Sequence, residues 1–165
     1  LPVPFEEAEP AFSHTPADAI PRWEDSLIVA RVLVGHAFQL ASPVSTLAPT
    51  LYLDVAVQPG GVLHLDCAVE ERAIYGIEGR LAVDGQILES CQLALLTGGQ
   101  PASIVATEPA RFVVIGGAPL DGRRAMWWNF VSSRRERIEA AKEDWRRQRM
   151  GAIPGETEFI PLPER

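Results

Sequence analysis

The 165-residue sequence predicts an all-β fold, a sandwich or barrel, with one α-helix near its C-terminal end. Three observations predict it. Short β-branched runs recur with turn signals every 8–12 residues. Asp84-Gly85 joins two apolar runs, which marks a tight hairpin because both central residues of such a turn need positive φ. Finally, only residues 133–151 carry a convincing helical pattern with start and stop signals.

Residues 1–22 hold five prolines and little periodicity, and read as an extended lead-in. LIVARVLV (27–34) is a β-branched run ending at Gly35. TLYLDVAV (50–57) alternates, with Leu51, Leu53, Val55 and Val57 on one face and Tyr52, Asp54 and Ala56 on the other. The turn QPGG leads to VLHLD (62–66). RAIYGI (72–77), RLAV (80–83) and QIL (86–88) follow, then LALLT (93–97), SIVAT (103–107) and RFVVIG (111–116). The expected layout is a lead-in over 1–22, a barrel over 23–121, and a helix and tail over 122–165 that pack on the barrel.

The helix is read from Ser133 and Glu136, spaced as a capping box, to a stop at Gly151 reinforced by Pro154. Its apolar stripe is narrow, Ile138, Ala141 and Trp145, and Glu143 and Arg147 stand at ion-pair spacing. Trp145 is its main anchor. Residues 134–149 carry seven basic and four acidic groups, so a net charge of −7 leaves −10 on the remainder. An acidic body argues against nucleic-acid binding, and a basic helix upon it is a solvated face or a protein-docking face.

No run of 18 apolar residues exists, so no membrane span is expected. The acidic, Pro-rich start LPVPFEEAEP lacks a signal-peptide core. Leu1 in place of Met suggests a fragment or part of something longer. Cys67 and Cys91, without a CxxC, read as reduced thiols of a cytoplasmic protein.

No nucleotide-binding, serine-hydrolase, zincin or EF-hand motif is present. A barrel of this pattern resembles the cupins, double-stranded β-helix jelly rolls whose metal is held on two histidine-bearing motifs. If Gly79 closes the first motif, Arg72 stands where its glutamate belongs, and LDCA (65–68) stands where its two histidines belong. The second motif region, 91–110, has no histidine. A metal needs lone-pair donors converging within about 2.0–2.2 Å, so the expectation is a barrel that binds no metal. His64 and Asp66, two apart on a strand, point to one face. They are candidate pocket residues with Tyr75, and would serve a metal-independent isomerase if they form an acid–base pair.

RFVVIGGAPL (111–120), WWNFVSSRRERIEAAKEDW (127–145) and PGETEFIPLP (154–163) strongly resemble the C-terminal end of the pirin family. SPVSTLAPTLYLDVAV, the PGG turn and the Tyr-x-x-x-Gly of YGIEG fit more loosely, and LP…AEPAF is similar to the linker after that family's first domain. The resemblance implies a bicupin whose N-terminal barrel holds iron and whose C-terminal barrel is metal-free. It also implies a quercetin 2,3-dioxygenase activity for the full-length form, not for this chain alone, or a regulatory protein-binding role. No iron ligand of the family maps onto these residues. Trp127, Trp128, Ser133, Glu136, Trp145 and Phe159 are the expected helix and tail docking residues. Their expected partner is an N-terminal cupin domain, or a second copy through the apolar helix and tail surface.

Overall fold

A computed structural model describes residues 1–151 and 153–163. The chain divides into two compact units, one formed by residues 9–119 and the other by residues 1–8 together with 120–165.

The larger unit is built of two facing antiparallel sheets. The six-stranded sheet takes the order β1 (Arg22–Glu24), β2 (Ile28–Val34), β5 (Thr50–Val57), β12 (Ala110–Gly117), β7 (Glu71–Glu78) and β10 (Leu93–Leu95). The four-stranded sheet takes the order β6 (Val62–Leu65), β11 (Ala102–Ala106), β8 (Leu81–Val83) and β9 (Gln86–Leu88). All nine runs read from the sequence are strands, within two residues at each end. The sheets do not close on one another, so the unit is an open jelly roll rather than a sealed barrel.

Side-chain alternation makes the core. Leu51, Leu53, Val55 and Val57 of β5 point inward, with Phe112 and Val114 of β12 and Ile74 of β7. They meet Leu63, Leu65, Leu81 and Ile104 of the smaller sheet in one cluster. Phe112 is fully buried, and removing such a ring costs about 3–5 kcal/mol. Asp84 and Gly85 both take positive φ, at 48° and 81°, and join β8 to β9 as the dipeptide predicts. Gly79 is also required, since its φ is +73° and a Cβ there would lie 2.3 Å from the Pro109 carbonyl oxygen.

A second hairpin carries no such signal. β3 (His36–Ala37) and β4 (Leu40–Ala41) are joined by Phe38 and Gln39, both at positive φ, 53° and 62°. Neither residue favours that region. Phe38 is held there by stacking on Trp23 of β1, with ring centroids 4.9 Å apart.

The smaller unit contains the hairpin β13 (Ala125–Trp127) and β14 (Phe130–Ser132), then α1 (Arg135–Arg146), the one α-helix among the described residues. Two details differ from the sequence reading. The N-cap is Arg134, without a side-chain cap bond, so Ser133 and Glu136 form no capping box. The Ser133 hydroxyl and amide instead donate to the Glu6 carboxylate, at 2.8 and 2.9 Å, so the amide that a box glutamate would accept from is already taken. The helix also ends before Gly151. Gln148 takes φ 52°, and the Gln148 and Arg149 amides donate to the Trp145 and Asp144 carbonyls. This is a Schellman stop with Gln where glycine is usual. Ile138 and Ala141 are buried as their spacing predicts, and the Glu143–Arg147 pair forms at 2.6 Å.

On the outer face of the larger sheet, Asp54 accepts hydrogen bonds from Arg111, at 2.9 and 3.1 Å, and from Arg31, at 3.1 and 2.5 Å. The Arg111 bond is the larger cause, and together the two hold the Asp54 carboxyl below the usual value. A depressed carboxylate contributes stability above its unfolded pKa and loses it as pH falls through the folded one. Acid unfolding should therefore steepen below about pH 4. Asp54→Asn should flatten that limb and cost about 1–2 kcal/mol at neutral pH, given the half-exposed arginines, as read from urea midpoints across pH.

Candidate functional site

A cavity of about 360 Å³ opens at one end of the larger unit. The β3–β4 hairpin walls it with His36 and Leu40, and Leu51, Leu65 and Asp66 line the rest. Its surface is mainly apolar, with His36, Gln39 and Asp66 as the polar side chains.

Arg72 is the unusual residue of this unit. It is 4% exposed, on the inward face of β7. Its Nη1 donates to the Asp66 carbonyl at 2.9 Å, and its Nη2 to the Thr97 carbonyl at 3.2 Å and to the Gln100 carbonyl. Its Nε has no partner among the described residues. One guanidinium thus ties the β6–β7 and β10–β11 loops together through backbone oxygens, where the motif count placed a glutamate. Carbonyl oxygens offset the cost of a buried cation only in part, and a fixed cation disfavours a second one beside it.

The predicted pocket residues separate. Asp66 lies one residue beyond β6 and lines the cavity, whereas His64 sits on the exposed outer face of β6, opposite Ser103. No hydrogen bond joins them, so the structure does not make the acid–base pair that their spacing suggested. β6 ends at Leu65, so Asp66 lies in the loop that follows it. Tyr75 is on the outer face of β7, away from the core, where a hydrogen bond with Cys91 raises its phenol pKa. His36, at the cavity, carried no motif to single it out for a role.

Among the described residues, no group of three or more His, Cys, Asp or Glu side chains could hold a metal ion. Both cysteines are exposed and free.

The smaller unit is organised by Glu6. Its carboxylate accepts from the Ser133 amide at 2.9 Å and from the Ser133 and Ser132 hydroxyls at 2.8 and 3.2 Å, and pairs with Arg124 at 3.0 Å. The Ser133 hydroxyl is the main reason its pKa is lowered. Asp121 accepts the Val3 amide at 2.8 Å, and Arg124 donates to the Leu1 carbonyl at 2.9 Å. Glu7 pairs with Arg134 and Arg137. The first eight residues are thus clasped by polar groups from 121 to 137, a partnership no local pattern could reveal.

The predicted docking aromatics do come together. Trp128 meets Trp145 edge-on at 5.2 Å, and Trp127 stacks on Phe130 at 6.3 Å. Phe159 stacks on Trp145 at 5.7 Å, while the Trp145 indole donates to the Ile160 carbonyl at 2.8 Å. Lys142 lies 4.6 Å over the Trp127 ring. Phe159 and Ile160 remain 44% and 67% exposed. Glu136 takes no cap bond and is exposed.

The family model of the pirin C-terminal cupin domain matches residues 52–151. The chain belongs to the pirin family. A pirin-like protein of Caulobacter vibrioides is 40% identical over 99% of this chain and 57% of its own length. Human pirin is 29% identical over 87% of this chain and 52% of its own length. A crystal structure of quercetin 2,3-dioxygenase from Acinetobacter baumannii, 26% identical, superposes with a TM-score of 0.87 on 100% of this chain and 57% of that one. This pirin chain therefore spans about half the length of the relatives it matches, and its jelly roll is the cupin fold.

Iron, which membership in the pirin family implies, does not fit the residues of this cupin. Arg72 stands on the inward face of β7 where the motif count expected a glutamate, the nearest loop carbonyls accept from it, and no group of three or more His, Cys, Asp or Glu side chains among the described residues could hold a metal ion. No helix of the described residues is long and apolar enough to cross a membrane.

Two outcomes are expected. Arg72→Met should cost about 2–4 kcal/mol, because three loop carbonyls lose their donor, and hydrogen exchange should rise in residues 66–70 and 97–100. Glu6 and Asp121 both have lowered pKa values, so the clasp holds above the carboxylate range and opens as pH falls below about 4. Amide exchange over residues 3–8 should rise there, and Glu6→Gln should raise it already at pH 7.

Proposed function

We propose that this chain is the fold-completing, metal-free cupin of a two-domain pirin with quercetin 2,3-dioxygenase-type activity. The iron site, and with it any reaction of a flavonol with dioxygen, belongs to an N-terminal domain outside these residues. The role of the present domain is to shape access to that site. The observation that carries this reading is the superposition of the whole chain on just over half of a solved quercetin 2,3-dioxygenase, combined with an interior that offers arginine where a ligand would stand. In this reading the aromatic cluster of helix and tail, with Phe159 and Ile160 still exposed, meets the neighbouring domain.

A protein-docking role for the basic helix has weaker support. Arg134 and Arg137 are paired with Glu7, Arg146 and Arg147 with Glu143, and Arg149 faces Asp144 at 3.8 Å. Most of the helix's positive charge is thus answered within its own unit. A His64-based isomerase lacks the partner it would need at the cavity.

The test measures iron content and loss of quercetin absorbance under air, for the 165-residue chain and for the longer protein. The expected result is sub-stoichiometric iron and no turnover for the chain, with both gained in the longer form. Stoichiometric iron and flavonol cleavage by the 165-residue chain alone would sink the proposal. His64→Ala should leave turnover of the longer form unchanged.

A further inference from the structure

The cavity at the end of the jelly roll is built on rigid parts. Leu51 and Leu65, both core residues, line it from the inside. The β3–β4 turn forms a wall, and there Phe38 and Gln39 both hold positive φ. A backbone in so sparsely populated a region persists only where its surroundings fix it, and such places cluster at ligand clamps. Here Trp23 backs the Phe38 ring, with centroids 4.9 Å apart. The turn therefore presents Gln39 and Leu40 to the cavity in one fixed arrangement.

Size and lining set the body of a ligand. The volume of about 360 Å³ falls in the range of small-molecule sites, and the lining is mainly apolar. At roughly 30 Å³ for each non-hydrogen atom, the share of one water molecule in the liquid, it takes a body of about ten such atoms.

Charge sets the head group. Asp66 meets Arg72 through its backbone carbonyl, which leaves its carboxylate for the cavity. Arg72 is buried and donates to three carbonyls, and to no carboxylate among the described residues, so no direct partner neutralises it. A cation that approaches Asp66 also approaches the guanidinium bound to that same residue. An anion drawn by the guanidinium meets the Asp66 carboxylate. Either ion faces a like charge at close range. A neutral hydroxyl faces neither penalty, since it donates to a carboxylate and accepts from an amide N–H.

We infer that this cavity binds a small neutral alcohol, an apolar body whose hydroxyl donates to Asp66 and accepts from Gln39. The site belongs to the jelly roll itself and goes beyond the fold-completing role proposed above.

The experiment is an amide proton–nitrogen NMR titration of the 165-residue chain at about pH 7. The probes share one ring and differ in head group: cyclohexylmethanol, cyclohexanecarboxylate and cyclohexylmethylammonium. The alcohol should give saturable shifts confined to residues 36–41, 51 and 65–68, with a Kd on the order of 1 mM. Both ions should bind at least about tenfold more weakly. Ala68→Trp, at an exposed position of the lining, should fill the cavity and abolish saturable binding without altering the melting temperature. Asp66→Asn removes the negative charge and keeps the carbonyl that Arg72 needs. It should reverse the order of the ions, the carboxylate then binding at least about tenfold more tightly than the ammonium.

An alcohol that gives no saturable shifts, or gives them away from the cavity, overturns the inference. So does either ion binding the unaltered chain as tightly as the alcohol, and so does an Asp66→Asn chain that still prefers the ammonium. A folded Ala68→Trp chain that binds the alcohol as before overturns it too. The titration reads neither iron nor turnover, so its failure leaves the dioxygenase reading standing, and failure of that reading leaves this site standing.

Discussion

The larger unit depends on a single constraint, that two sheets must seal their inner faces against one another. The pairing of β5, β12 and β7 brings Leu53, Val55, Phe112, Val114 and Ile74 to complete burial. A slip of one residue in that register would turn each of these to the outside and Tyr52, Asp54 and Ile115 to the inside. The registry is held from the outer side as well, by the Asp54 carboxylate bridging Arg31 of β2 and Arg111 of β12. Inner packing and outer ion pairing thus select the same alignment, which is the consistency that gives a fold its single ground state.

The same interior holds a buried guanidinium where the motif count expected a glutamate. A metal site and Arg72 are alternative ways to tie loops at the end of a jelly roll. A cation held by side-chain donors draws in several elements at once, and Arg72 does so with a fixed guanidinium reaching three carbonyls in two loops. The exchange has a chemical consequence. Arginine stays protonated at any physiological pH and offers no lone pair, so it can neither ligate nor shuttle a proton. What remains available for ligands is an apolar cavity rimmed by His36, Gln39 and Asp66. That is a recess with polar edges.

The smaller unit solves a different problem. A helix of 12 residues with one narrow apolar stripe has little core of its own. Its cohesion comes from aromatic contacts among Trp127, Trp128, Phe130, Trp145 and Phe159, and from a chain segment more than a hundred residues distant in sequence. Glu6 is central there because a nearly buried carboxylate must have its lone pairs satisfied, and Ser132, Ser133 and Arg124 supply every donor.

Sequence by itself determined nine of the strands, the Asp84-Gly85 turn, the place of the helix and the family. Each is written in local signals, namely alternation, turn residues with positive φ, and three stretches of family residues between 111 and 163. It also shows no histidine in residues 65–68 or 91–110, since that is a matter of counting. Tertiary structure alone decided the rest. The β3–β4 turn needs Phe38 at positive φ, which only stacking on Trp23 makes tolerable. Ser133 looked like a cap because its spacing from Glu136 is right, yet Glu6 claimed its hydroxyl from the far end of the chain. His64 and Asp66 are two positions apart, and the structure puts His64 on the outer face of β6 and Asp66 at the cavity. Local periodicity records what a residue's neighbours in the chain require, whereas hydrogen-bond partners and shared surfaces are set by neighbours in space.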